Sequence, residues 1–248
     1  MEQPEKILGG YHASAGPVFS RRAYLLFSDV PSNRILKWDR GEVTVFRENS
    51  HGARSSTFDH QGRLLTCENG RVTRTEKDGR ITVLAGRVKE PADLVYAIDG
   101  SIYFSDPPAG IVYQITRQGG LRPVSRECES PFGVALAPNQ QRLFVTDRTR
   151  REIRVHDVAG DGSLRAGRIF AACGDQPGGL KTDEAGGVWV ACSAGIRHFD
   201  HAGKQLEVIA LPEPAGNCNW GEGFQDLYIT AETSVYRARV SVKGTRTY

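Results

Sequence analysis

The sequence has few cysteines and no long apolar run, and each shortage excludes a class of protein. Its five cysteines are an odd number without Cys-x-x-Cys spacing, which argues against a disulfide framework and against a zinc site. No apolar run approaches the roughly 18 residues of a membrane-spanning helix. Residues 1–6 lack the apolar core of a signal peptide, so the sequence predicts a cytoplasmic protein.

The charge is small and scattered along the chain. A formal net charge of +3 is too small to indicate nucleic-acid binding, and Lys and Arg are dense only at residues 148–151. Hydrophobic residues make up 39% and charged residues 25%, which is typical of globular proteins. This charge distribution predicts no nucleic-acid partner. We also expect no membrane partner and no cofactor, and a small organic molecule as the partner.

Helical periodicity is also missing. No stretch longer than a few residues repeats apolar positions every 3.6 residues, so the sequence predicts almost no helix. Short segments rich in β-branched and aromatic residues recur instead, each ending in a small or acidic residue. Six of them are residues 24–29, 64–68, 101–106, 143–147, 188–192 and 227–231.

These segments belong to a repeat. Equivalent positions at the repeat starts are Ala15, Arg54, Ala92, Phe132, Gly178 and Asn217, at intervals of 39, 38, 40, 46 and 39 residues. A period of about 40 with four strands per unit is typical of a β-propeller rather than a helical solenoid. We predict an all-β fold: a six-bladed β-propeller with four antiparallel strands per blade, forming one domain over residues 1–248.

Two local features refine this fold. Asp99-Gly100 lies between apolar runs and predicts a two-residue hairpin turn with both residues at positive φ. The sixth repeat has only three clear strands before the chain ends. Because an open edge strand is an aggregation liability, we expect residues 5–12 to pair beside residues 236–240 and close the ring.

Three motifs resemble one known family. They are residues 24–39 (YLLFSDVPSNRILKWD), residues 58–65 (FDHQGRLL) and residues 99–107 (DGSIYFSDP). The sequence is similar over nearly its whole length to the family of senescence marker protein, gluconolactonase and luciferin-regenerating enzyme. This resemblance implies a six-bladed propeller. Many members hydrolyse lactones with one divalent cation, often calcium, on the channel axis.

The chain departs from the family at each position that the resemblance assigns to a metal ligand. Motifs that carry a Glu, two Asn and an Asp in the family read Ala15-Gly16-Pro17, Pro91-Ala92-Asp93, Pro131-Phe132-Gly133 and Pro177-Gly178-Gly179. A further Asn common in the second blade is replaced by Arg54. The flanking residues remain while the oxygen ligands are absent, and a cation beside Arg54 would be repelled. We therefore predict no metal site.

Three residues are candidates for catalysis. Arg54 could hold a carboxylate or stabilise an oxyanion, although it could also be a rim arginine paired with Glu68 or Asp93. Asp93 could act as a general base, or its carboxylate could accept backbone N–H groups in a structural role. Glu68 ends a second strand on the same rim, where an acid often fixes a turn instead.

Five further residues are candidates for substrate binding. Phe132 would narrow the pocket and favour a less polar substrate than a sugar lactone. Asp106 and Asp147 end second strands, as Glu68 does, and Asn217 occupies a repeat start. His12 could reach the channel mouth, although a lone His is more often a surface residue.

Two cysteines lie near the same rim by register. Cys192 and Cys218 are in apolar strands without a neighbouring base in the sequence, and such buried thiols are usually inert.

Two functional hypotheses remain. In the first, the chain is a metal-independent enzyme that opens, closes or isomerises a lactone-like or activated small molecule in the central channel. In the second, the channel binds a ligand or partner without turnover. A metal-dependent lactonase is the least favoured alternative, because the ligand losses leave too few oxygens for calcium.

Overall fold

Six four-stranded antiparallel sheets form the protein in the computed structural model, which describes residues 3–245. The innermost strands are Ser14–Phe19 (β2), Ser55–Phe58 (β6), Leu94–Tyr96 (β10), Pro131–Leu136 (β14), Pro177–Thr182 (β18) and Ala215–Trp220 (β22). Each contacts the innermost strand of the next sheet, and β22 returns to contact β2. The sheets are therefore the six blades of a closed propeller, as predicted, with blade 1 beginning at β2.

Each blade continues outward through three more strands. The second strands are Leu25–Asp29 (β3), Leu64–Glu68 (β7), Ile102–Asp106 (β11), Arg142–Asp147 (β15), Val188–Cys192 (β19) and Asp226–Ala231 (β23). The third strands are Arg34–Asp39 (β4), Arg71–Thr75 (β8), Ile111–Ile115 (β12), Glu152–Asp157 (β16), Gly195–Phe199 (β20) and Ser234–Arg239 (β24). The outermost strands are Glu42–Arg47 (β5), Ile81–Gly86 (β9), Leu121–Ser125 (β13), Arg168–Ala172 (β17), Gln205–Ala210 (β21) and Glu5–Gly9 (β1).

The ring closes as the incomplete sixth repeat predicts. Strand β1 pairs antiparallel with β24, with Glu5 opposite Arg237 and Gly9 opposite Ser234. The pairing covers Glu5–Gly9 rather than all of residues 5–12, because Gly10 turns at a φ of 90°. The first and last segments of the ring thus share one blade.

The Asp99-Gly100 turn differs from the prediction. Ala97 and Ser101 close a longer turn, in which the Gly100 amide donates to the Ala97 carbonyl at 3.0 Å. Only Gly100 has a positive φ (91°), while the Asp99 carboxylate accepts the Ser101 N–H at 2.9 Å. A type I turn followed by a left-handed glycine tolerates Asp at ordinary φ, so the dipeptide does not have to form the two-residue turn.

The core lies between adjacent blades rather than on the axis. Alternate strand residues pack against the next sheet; for example, Leu65 and Cys67 of blade 2 cluster with Leu94 and Phe104 of blade 3. Only two single-turn 3₁₀ helices, Pro107–Ala109 and Glu222–Phe224, occur between residues 3 and 245. No helix in that range is long and apolar enough to cross a membrane.

One end of the channel is nearly filled. Residues 241–245 fold back beneath blade 5, where the Thr245 N–H donates to the Thr182 carbonyl at 3.0 Å. Lys181, Trp220 and Thr245 line a cavity of only about 30 Å³ at this end. The opposite end of the channel, where the innermost strands begin, has the larger cavity, of about 200 Å³.

Glu213 joins the loop after blade 5 to blade 6 and should make stability pH-dependent. Burial alone would raise the pKa of this carboxyl, but hydrogen bonds from Ser234, Thr233 and Tyr236 lower it to about 2. A lowered folded pKa gives stability that is complete above the ordinary value of 4.5 and is lost as pH falls toward about 2. We expect urea unfolding to show this loss between those limits, and Glu213→Gln to weaken it. An unchanged pH dependence in the variant would contradict this role.

Candidate functional site

The channel mouth contains a pocket of about 200 Å³. Five of the six repeat-start positions line it: Ala15, Arg54, Ala92, Phe132 and Asn217. Gly178, the sixth, does not line it. Ala13, Ser14, Gly16, Val30, Pro31 and Gly216 complete the wall of this channel-mouth pocket. Arg54 is thus the single charged side chain among the described residues that form it.

Irregular strand starts aim these side chains inward. The pairing register shifts between Ala15 and Val18, between Pro131 and Val134, and between Ala215 and Asn217. Such bulges bend a strand locally and reorient its side chains, and they are common beside functional sites. Gly179 on the neighbouring strand leaves the room that Asn217 fills, because a Cβ there would overlap the amide.

Arg54 faces the pocket, but its partner is Glu90. The sequence had suggested Asp93 or Glu68 instead. One guanidinium nitrogen of Arg54 bonds the Glu90 carboxylate, while its Nε is buried without a hydrogen-bond partner. Asp106 fixes the loop that carries Glu90, accepting the Lys89 and Glu90 N–H groups at 2.7 and 3.1 Å. Glu90 was missed because it lies in the loop between blades, outside the strand register that sequence reasoning followed.

Asp93 is fully buried beneath the pocket. Its carboxylate accepts hydrogen bonds from the Ser55 hydroxyl at 2.5 Å, the Val134 N–H at 3.2 Å and the Asn217 amide at 3.3 Å. These donors come from blades 2, 4 and 6, so one carboxylate from blade 3 ties four blades together. The structural alternative fits this geometry, and the general-base role remains a prediction.

Hydrogen bonds hold both the nitrogen and the oxygen of the Asn217 side-chain amide. Its nitrogen donates to Asp93, and its oxygen accepts the Cys218 N–H at 2.8 Å. Asp93 thus positions a pocket residue rather than lining the pocket itself.

Glu68 lies in blade 2, where that blade contacts blade 1, and it does not line the pocket. It is buried and accepts bonds from Arg47 and Thr73 at 2.5 Å and from Arg71 at 2.7 Å. The two arginines neutralise the carboxylate and join blades 1 and 2. This is a structural arrangement, and nothing in it brings Glu68 to Arg54.

Asp147 and His12 lie on the rim without lining the pocket. Asp147 accepts the Glu129 and Ser130 N–H groups at 2.7 and 3.3 Å, as Asp106 does for its own loop. The His12 side chain is 73% exposed, with Nδ1 3.5 Å from the Asp29 carboxylate. These residues fix or border the loops between blades.

Phe132 contacts an arginine that sequence reasoning did not place at the site. The Arg148 guanidinium lies 3.9 Å above the Phe132 ring centroid. Burial, with a smaller contribution from the Arg54 charge, lowers the pKa of Arg148. The dense basic run at residues 148–151 was the available signal, because its first residue follows directly on the strand end at Asp147.

The two rim cysteines are not suited to nucleophilic catalysis. Burial raises the pKa of the Cys218 thiol to about 12. Hydrogen bonding to Cys173, together with burial, raises the pKa of Cys192. Both thiols stay protonated, and the thiolate is the reactive form.

The residues at the mouth do not fit the divalent cation that the family resemblance implies. Calcium needs six to eight oxygen ligands. The repeat-start positions supply methyl groups, a glycine, a phenyl ring, a cationic guanidinium and one amide whose oxygen already accepts a hydrogen bond. Among the described side chains of residues 3–221 and 223–245, no three His, Cys, Asp or Glu are grouped to hold a metal ion.

Comparisons with known proteins agree with this architecture. A gluconolactonase from Zymomonas mobilis is 25% identical over 97% of this chain and 82% of its own length. The solved structure of a gluconolactonase from Xanthomonas campestris superposes with a TM-score of 0.88 at 29% identity, covering 96% of this chain and 88% of that one. A calcium-binding regucalcin from Agrobacterium tumefaciens shares the fold at a TM-score of 0.87 and 12% identity, covering 99% of this chain and 96% of that one. The family model described as SMP-30/Gluconolactonase/LRE-like region matches residues 13–233, and the chain belongs to this family as a gluconolactonase-like propeller.

Proposed function

We propose that this protein is a metal-independent enzyme that opens the ring of a lactone-like molecule in the channel-mouth pocket. One observation carries the proposal. Among the described residues that line the pocket, Arg54 has the one guanidinium group, and its Nε is buried without an acceptor. An N–H group in this state can stabilise an oxyanion that develops during reaction. The relatives named gluconolactonase support a lactone as the substrate class.

The chemistry needs an electrophilic group and a base. Water attacks the lactone carbonyl, and Arg54 hydrogen-bonds the carbonyl oxygen as it becomes an oxyanion. The Glu90 carboxylate, which is 43% exposed beside Arg54, takes a proton from the attacking water. When the acyl–oxygen bond breaks, that proton passes to the ring oxygen and gives a hydroxy acid.

Related reactions use the same pair of groups. Ring closure is the reverse sequence, with water expelled. An isomerisation would use the carboxylate to move a proton while Arg54 stabilises the enolate oxygen. Hydrolysis is favoured over both because the relatives carry that activity in their names.

Binding without turnover is the second candidate function. Asp93, which the sequence offered either as a general base or as a structural residue, is buried behind Asn217, and Glu90 is already paired with Arg54. A pocket of this kind could hold an anionic ligand with no free base beside it. Turnover therefore separates the two functions.

A pH-stat assay of the wild-type protein against a panel of five- and six-membered lactones tests the proposal. Opening of an ester ring releases an acid, so enzyme-dependent base uptake above the uncatalysed rate is the expected result. If a lactone binds by calorimetry and is recovered intact, the binding function is correct and the enzymatic proposal is overturned.

A further inference from the structure

Arg148 is held over the mouth of the channel by two contacts. Its Nε donates to the Pro177 carbonyl at 3.3 Å, and its guanidinium lies on the face of Phe132. Phe132 lines the channel-mouth pocket, so the stacked guanidinium borders the pocket from blade 4. Stacking covers one face of the guanidinium and leaves its N–H edge for a planar acceptor.

Arg148 has no carboxylate partner among the side chains that the structure describes, those of residues 3–221 and 223–245. Arg150, two residues further on, does have such a partner, because its Nε lies 3.2 Å from the Glu129 carboxylate. Arg54 is paired with Glu90, which leaves two guanidinium groups and one carboxylate at the mouth. Burial and, to a smaller extent, repulsion from Arg54 lower the pKa of Arg148, as expected for a cation that lacks a nearby counter-charge.

We propose that Arg148, stacked on Phe132, binds a carboxylate substituent of the substrate, while Arg54 acts on the lactone carbonyl. The inference rests on the proposed function, because it names the substrate class of the same pocket. A substrate anion supplies the missing counter-charge, and a bidentate arginine–carboxylate pair fixes its orientation. The remaining wall is apolar at Ala15, Ala92 and Pro31, and about 200 Å³ suits one small ring.

A matched pair of probes tests this assignment: γ-carboxy-γ-butyrolactone and its uncharged carboxamide. Wild-type protein should prefer the carboxylate in kcat/KM. Arg148→Met keeps the length and the apolar stem, and should lower kcat/KM for the carboxylate by about 10- to 100-fold, the usual effect of a hydrogen bond to a charged group. The carboxamide rate should stay within about twofold. Arg148→Lys should fall between wild type and Arg148→Met.

Arg150→Met is the control, because it removes an arginine from the same turn that is already paired with Glu129. Its rates on both probes should match wild type. Equal rates on both probes in wild type, or equal losses on both in Arg148→Met, would overturn the inference while leaving lactone hydrolysis in place.

Calorimetry keeps the two proposals distinguishable. If neither probe is hydrolysed, the proposed function fails. The binding affinities of the two probes then test whether Arg148 binds a carboxylate. Tighter binding of the carboxylate that is lost in Arg148→Met and weakens with added salt supports it. Equal binding of both probes refutes it.

Discussion

Arg54→Ala is expected to lower the rate of lactone ring opening by about 100- to 1000-fold, the usual effect of removing one oxyanion donor. The fold should remain intact, because the Arg54 side chain is 37% exposed at the channel mouth and its ion pair with Glu90 lies on the surface. The effect should fall mainly on kcat, since the interaction strengthens as charge develops in the transition state. Steady-state kinetics on the best lactone of the panel measure it.

Two further variants sharpen that result. Arg54→Lys should recover only part of the rate, because an ammonium group lacks the two-pronged geometry of a guanidinium. Arg34→Ala removes an exposed arginine that pairs with Glu48 at 2.9 Å outside the pocket, and should leave the rate unchanged. Retained activity in Arg54→Ala would remove Arg54 from the mechanism, and an unfolded variant would show that its role is structural.

Asp93→Asn is expected to lower the free energy of unfolding by about 2–4 kcal/mol. The NH₂ group of the new amide would face buried hydrogen-bond donors, and some of those donors would be left without an acceptor. Ser55, Val134 and Asn217 all donate to this one carboxylate. The Asn217 amide also loses the contact that orients it, so KM should rise together with the loss of stability. Urea unfolding and kinetics on the same preparation measure both effects.

The same variant decides between the two roles considered for Asp93. A general base would lose most of kcat in Asp93→Asn with stability unchanged. Asp78→Asn is the control. Asp78 is exposed, accepts the Arg80 N–H in its turn and lies 3.9 Å from the exposed Arg80 guanidinium, so the substitution should change stability by less than about 0.5 kcal/mol. A stable, inactive Asp93→Asn protein would contradict the positioning role argued from the geometry.

Much of the fold follows from the sequence because a propeller is repetitive. The recurrence of strand segments about every 40 residues predicts blade number, strand order and the closing strand β1. The error at Asp99-Gly100 concerns turn length. The dipeptide suits two kinds of turn, and the hydrogen bonds of Ala97 and Ser101, which no local pattern specifies, decide between them.

The candidate site was predictable only where it lies on strands. Register placed Ala15, Arg54, Ala92, Phe132 and Asn217 at one mouth, and the structure brings them together there. Glu90 and Arg148 come from a loop between blades and a strand-end turn, so their positions depend on how the chain turns at the rim. The partners of Asp93 lie 38 to 124 residues away in sequence, beyond any local pattern.

The most direct test of the central claim is the ring-opening rate of metal-stripped protein in excess chelator, compared with the rate after calcium, magnesium or zinc is restored. Arginine-based catalysis predicts the same rate in all conditions and a similar loss for Arg54→Ala in each. Activity that vanishes in chelator and returns with one cation would contradict the account and assign the reaction to a metal.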